Sequence, residues 1–167
     1  FVDIASVWNK PKKTDVTAVD LFCGCGGTTV GLKQADFNVL CAVDLAKAPL
    51  KTFKANHPEV LIKEQDIKTI NIKELLTELD LKKGDLDMLA GCPPCQGFSS
   101  MRTKNGKFKI EDERNNLIEE FYRFSRDLLP KTVMLENVPG LAKSSQFNDF
   151  IKKMTELEYY GDFKVLN

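Results

Sequence analysis

VDLFCGCGG, residues 19–27, closes an apolar run of strand length and passes directly into a glycine-rich turn. Thr17 to Phe22 (TAVDLF) reads as a strand and Thr28 to Ala35 as a short helix, so Gly24, Gly26 and Gly27 fall at the handover between them. Strand, tight turn and helix in that order open a parallel α/β sheet. Glycine at such a turn lets the backbone approach a ligand closely. A dinucleotide fingerprint would need a third glycine at position 29, where the residue is Thr29, and this argues against hydride transfer.

The alternation continues outward. Asn38 to Val43 (NVLCAV) reads as a second strand ending at Asp44, and Ala48 to Asn56 as a helix that His57-Pro58 stops, with Pro49 tolerated in its first turn. A short third strand, Val60 to Ile62, leads to Asp66; Ile72, Leu75, Leu76 and Leu79 then share a helix face, with Gly84 as a stop. Leu86 to Ala90 is a fourth strand. Leu117, Phe121, Phe124 and Leu128 mark an amphipathic helix, Thr132 to Leu135 a fifth strand, and Phe147, Phe150, Ile151, Met154 and Leu157 a further helix. Phe163 to Leu166 is expected to start a sixth strand. The implied architecture is a mostly parallel twisted sheet with flanking helices. Residues 1–16 form an N-terminal extension and 17–167 one domain, which is expected to be incomplete because it ends in mid-strand.

With 167 residues and 43% hydrophobic content, the chain can bury one core. No apolar run has the length of a membrane span and no secretory pattern is present, so an intracellular location is expected. The 24 basic and 24 acidic residues cancel, so any nucleic-acid surface must be local. An odd count of five cysteines does not suggest a secreted disulfide framework.

The chemistry-bearing residues gather at strand ends, where open α/β sheets bind small molecules. Asp44, about 20 residues beyond the glycines, is placed to accept both hydrogens of a ribose diol, and Asp66 follows the third strand in the same manner. LAGCPPCQGFSS, residues 89–100, leaves the fourth strand with Cys92 and Cys95 around a Pro-Pro pair. A thioredoxin-type couple would put a helix directly after the first thiol, and Gly97 and an irregular stretch follow instead. A zinc site from Cys23, Cys25, Cys92 and Cys95 is a second rival, ranked low because those strand ends are committed to glycines and ligand contacts. Cys41 reads as a small apolar core residue. The reading left is a single nucleophile on a rigid turn, with Glu136 arriving at the same edge from the fifth strand. From Ser99 to Glu113 no apolar period is found, and Arg102, Lys104, Lys107 and Lys109 surround Asn105-Gly106, which reads as a mobile loop, either a lid or a solvated insertion.

These motifs together resemble the cytosine-C5 methyltransferases. DLFCGCGG is similar to that family's cofactor loop, GCPPCQGFS to its nucleophile segment, ERNNL (Glu113 to Leu117) to the start of the helix after the nucleophile loop, and MLENVPG to its catalytic glutamate segment. The resemblance implies a Rossmann-like S-adenosylmethionine-dependent fold, S-adenosylmethionine as methyl donor and a flipped-out cytosine of double-stranded DNA as acceptor. It implies Cys95 as the thiolate that adds to carbon 6 and Glu136 as the acid at ring nitrogen N3. Phe22, Gly24, Gly26, Asp44, Asp66, the Ile67 backbone and Leu117 would surround the cofactor, with Pro94 and Cys95 at its methyl end. Leu45 joins this set where relatives often carry an aromatic, Asp44 stands where many have Glu, and Cys92, where glycine is common, reads as a bystander. Ser99, Arg102, Lys104, Lys107 and Lys109 would close over the DNA backbone. The family's later segments, including target recognition, are not found here, so this stretch alone is expected to bind donor weakly and methylate nothing. A monomer without metal or membrane attachment is expected. An RNA cytosine methyltransferase of the same fold and a catalytically silent nucleotide-binding module remain the alternatives.

Overall fold

Five strands form one sheet in the computed structural model, which describes residues 16–94 and 117–166. They are β1 (Thr17–Leu21), β2 (Asn38–Asp44), β3 (Leu61–Glu64), β4 (Met88–Gly91) and β5 (Thr132–Leu135), in spatial order β3-β2-β1-β4-β5. All four pairings are parallel. The helices are α1 (Gly27–Gln34), α2 (Lys47–Asn56), α3 (Ile72–Glu78), α4 (Leu117–Leu128) and α5 (Ser145–Glu156), with short 3-10 turns at Ile67–Thr69 and Leu141–Lys143.

β1 is central and covered on both faces, so its alternate side chains feed two separate cores. Ala18 packs with Leu32 of α1 and with Leu50 and Phe53 of α2. Val19 and Leu21 point the other way, into the larger cluster built by α3, α4 and α5 around Phe121, Phe124 and Phe150. Between β1 and β2 the register slips by one residue, Ala18 pairing with Val39 but Val19 with Cys41. The extra residue, Leu40, shifts the phase of β2, so Val39 and Ala42 both face α1 and α2 while Cys41 and Val43 face the other side. Cys41 is fully buried, as its place in an apolar strand predicts.

Local signals set the helix ends. Asn71 caps α3 by accepting the Lys73 amide at 3.1 Å and the Glu74 amide at 3.4 Å, and Ser144 caps α5 through the Phe147 amide at 3.1 Å. The free edge at β3 carries Lys63 and Glu64, which pair with Glu78 and Lys54 respectively. Charges on an edge strand discourage further strand addition.

The expected sixth strand does not form. Phe163 to Leu166 has no regular structure, and Leu166 is 82% exposed. The Phe163 amide donates to the Asp162 carboxylate at 2.8 Å and its ring turns back edge-on to Phe147 of α5, so the run does not join β5. The strands also begin and end slightly off their sequence limits: β1 stops at Leu21 rather than Phe22, β3 starts at Leu61 and β4 at Met88. Among the described residues no helix is long and apolar enough to cross a membrane. The N-terminal extension through residue 15, Cys95 and the basic stretch with Ser99, Arg102, Lys104, Lys107 and Lys109 lie outside the described residues.

Candidate active site

The chain runs from β1 outward to β2 and β3, then returns to the other side of β1 for β4 and β5. This reversal makes a topological switch point at the carboxyl ends of β1 and β4, the usual place for a ligand in such sheets. Three backbone hydrogen bonds beyond the strands stitch the rim. Cys92 N–H donates to Leu21 O at 3.3 Å, Cys23 N–H to Val43 O at 3.1 Å, and Glu136 N–H to Gly91 O at 3.1 Å. Phe22 sits between the first two with a left-handed φ of 59°. A bulky residue rarely adopts that conformation, which costs on the order of 1–3 kcal/mol and persists where neighbours over-determine it.

Asp44 holds the glycine turn from beside it. One carboxylate oxygen accepts the Gly24 amide at 2.8 Å and the other accepts the Ala46 amide at 2.8 Å. Gly26 is required for two reasons: its φ is 101°, and a Cβ there would stand 2.8 Å from Nε2 of His57 and 3.1 Å from Phe53. His57, which ends α2, is 2% exposed. Its Nδ1 is 2.8 Å from the Lys33 ammonium, which also pairs with Glu59, and its Nε2 has no partner among the described residues. Burial, then the Lys33 charge, lowers the His57 pKa, with Glu59 opposing.

Beneath the same turn lies Asp20, fully buried in β1. Thr29 of α1 donates its hydroxyl to one carboxyl oxygen at 2.6 Å, and the other oxygen has no partner among the described residues. Burial raises its pKa to about 6, with Thr29 opposing and Asp44 adding a smaller upward push. Thr29, read from sequence only as a missing glycine, is thus the partner of a buried acid.

The segments that follow β4 and β5 meet beyond the two strands. Asn137 donates its side-chain amide to Pro93 O at 2.9 Å, two residues before Cys95. Cys92 Sγ is 3.4 Å from the Thr28 hydroxyl. Burial raises the Cys92 pKa, the Thr28 hydrogen bond opposes, and the charges of Glu136 and Asp20 raise it further, so this thiol is a poor thiolate. Gly91 is needed at the base of the segment, since a Cβ there would meet Phe121 at 2.8 Å and Leu21 O at 3.1 Å. Cys23 is buried and its pKa is raised by burial and then by Asp20, while Cys25 is exposed. No three metal-ligating side chains gather among the described residues.

The other residues expected to hold a cofactor follow β1, β2, β3 and β4 in the chain or open α4. Asp66 follows β3 and caps the 3-10 turn, accepting the Lys68 amide at 3.0 Å, and Ile67 beside it is buried. Leu45, next to Asp44, is 64% exposed. Phe22 and Leu117 are half-buried against the larger core, and Pro94 is exposed at the end of the described segment. Sequence reading gave no role to Asp20, Thr28, His57 or Asn137. Asp20 carried a usable signal, an acid inside a strand that must be covered on both faces.

Comparison with known proteins matches residues 16–167 to the family model described as C-5 cytosine-specific DNA methylase. The chain is similar to the type II methyltransferase M.AgeI of Thalassovita gelatinovora, 35% identical over 152 residues that cover 89% of this chain and 34% of that protein. It is 34% identical over 155 residues to the type II methyltransferase M1.HphI of Haemophilus parahaemolyticus, covering 91% of this chain and 41% of that one. Among solved structures it resembles Spodoptera frugiperda DNMT2, with a TM-score of 0.65 and 25% identity over 85% of this chain and 41% of that chain. The chain therefore spans about a third of M.AgeI and about two fifths of M1.HphI.

Proposed function

Given that this chain belongs to the C-5 cytosine-specific DNA methylase family, we propose that the protein methylates carbon 5 of cytosine in double-stranded DNA, with S-adenosylmethionine as donor. Several features fit that donor. A Cβ at Gly24 or Gly27 would meet nothing within 4 Å, so the turn is open on its outer side. Each Asp44 oxygen accepts one amide and retains lone-pair capacity for a ribose diol, and Asp66 keeps its second oxygen for a purine amino group. Phe22, Gly24, Gly26, Asp44, Leu45, Asp66, Ile67, Pro94 and Leu117 would hold the donor. When bound, it supplies the electrophilic methyl group that carbon 5 accepts.

The chain's own residues prepare that carbon. The Cys95 thiolate adds to carbon 6 of the extruded base, breaking the ring's conjugation and leaving carbon 5 nucleophilic. Glu136 donates a proton to N3, drawing electrons from carbon 6 and favouring the addition. Loss of the carbon 5 proton after methylation restores the double bond, breaks the carbon–sulfur bond and releases Cys95. Ser99, Arg102, Lys104, Lys107 and Lys109 would engage the phosphate backbone. The 167-residue stretch, about a third of M.AgeI in length, would bind donor weakly without turning over DNA, and the whole protein would act as an intracellular monomer.

The observation that carries this reading is the Asn137 bond to Pro93 O at 2.9 Å, which ties the Glu136 segment to the one bearing Cys95. Full-length protein incubated with donor and a duplex containing 5-fluorocytosine should form a covalent adduct that mass spectrometry places on Cys95. Cys95→Ser should form none, and Cys92→Ser should still form it. An adduct on Cys92, or adducts on RNA and none on DNA, would overturn the assignment.

A further inference from the structure

Arg123, on the inward side of α4, uses its guanidinium on backbone more than fifty residues away. Nη2 donates to Ile67 O at 2.7 Å and Nη1 to Ile70 O at 3.1 Å. Nε donates to Glu120 one turn earlier at 2.7 Å, and the guanidinium carbon lies 4.9 Å from the centre of the Phe124 ring. The Arg123 side chain is 25% exposed and that of Glu120 19%, so water competes weakly for these bonds. Both carbonyls belong to the turn that Asp66 caps. A three-residue 3-10 turn has poor internal geometry and holds little by itself. Here it has only the Thr69 amide to Asp66 O at 2.9 Å and the Ile70 amide to Ile67 O at 3.2 Å along its backbone.

We propose that Arg123 is a positioning residue for the donor's purine, fixing the Asp66–Ile67 turn from outside; this rests on the proposed methyltransferase reading. The fork geometry of a guanidinium spans two carbonyls three residues apart, whereas a lysine ammonium offers a single point charge. The same helix supplies Phe121, against which Gly91 packs at the root of the nucleophile segment. One rigid element therefore sets the spacing between the purine end of the site and its reactive end.

The test uses full-length protein, with S-adenosylhomocysteine and adenosine as calorimetric probes, duplex DNA binding by anisotropy, and thermal unfolding. Arg123→Met should weaken S-adenosylhomocysteine and adenosine by about tenfold each, the cost of losing charge-assisted hydrogen bonds. Duplex affinity without donor, and kcat at saturating donor, should stay within about twofold. Arg123→Lys should recover part of the loss. Donor affinity unchanged in Arg123→Met, or donor and DNA affinity falling together with the melting temperature, overturns the proposal. Should Arg123→Met not fold, Arg123→Lys decides, since unchanged donor affinity with native DNA binding overturns it equally. A wild-type protein that binds no S-adenosylhomocysteine overturns the parent reading instead.

Discussion

The imidazole of His57 lies so close to the backbone of Gly26 that a methyl group on residue 26 would stand 2.8 Å from its Nε2. His57 is 2% exposed and braced by Lys33 and Phe53, so it cannot swing clear. Gly26→Ala therefore combines a left-handed φ with a steric clash and should destabilise by about 2–4 kcal/mol. Denaturant unfolding reads the loss. Calorimetry should show donor binding falling more than DNA binding.

Asp20 gives the fold a pH signature. Its folded pKa of about 6 lies above the ordinary 3.8, so the native state holds a proton that the unfolded chain releases. Its contribution is fully present below pH 4 and is lost as pH rises to 6. Asp20→Asn keeps an acceptor for Thr29 and removes the buried charge. The variant should be more stable than wild type at pH 8, by up to about 3 kcal/mol, with the advantage vanishing near pH 4. Equal differences at both pH values would show that Asp20 does not titrate in this way.

Asn137 links the segments proposed to carry the nucleophile and the acid, through its side-chain amide bond to Pro93 O. Asn137→Ala should lower the single-turnover rate by about tenfold or more, the order expected when reacting groups lose their mutual placement. Donor affinity should be unchanged, because among the described residues the Asn137 side chain hydrogen-bonds Pro93 and Val138, neither of which is proposed to hold the donor. A drop in donor affinity with the chemical step intact would contradict this role.

Asp44 accepts two amides, those of Gly24 and Ala46. Asp44→Ala should cost about 1–3 kcal/mol of stability and raise the donor Kd by at least about tenfold. Asp44→Glu, which keeps the carboxylate, should retain donor binding within about tenfold. Thermal shift with and without S-adenosylhomocysteine separates the two effects.

Residues whose fates depend on near neighbours were legible in the sequence. TAVDLF reads as a strand because of its length and apolar content, and the strand-end positions of Gly24, Asp44, Asp66 and Glu136 follow from the parallel alternation. The slip at Leu40 was hidden, since NVLCAV is apolar on both faces and no period marks the extra residue. Arg123 was hidden for a different reason: beside Glu120 it reads as an ordinary helix-surface ion pair, and its real acceptors are carbonyls, which leave no side-chain signature. Phe163 to Leu166 misled, because β-branched and aromatic residues suit a strand only where an edge receives them, and Asp162 takes the first amide.

Phe22 remains left-handed because β2 and β4 grip the residues on either side of it. A donor held there as proposed would meet a cradle shaped in advance, and docking would not need to freeze a wandering backbone. Binding should then be fast and carry only a modest negative heat-capacity change, close to that of the surfaces in direct contact, with none of the larger signature of a loop folding around its guest.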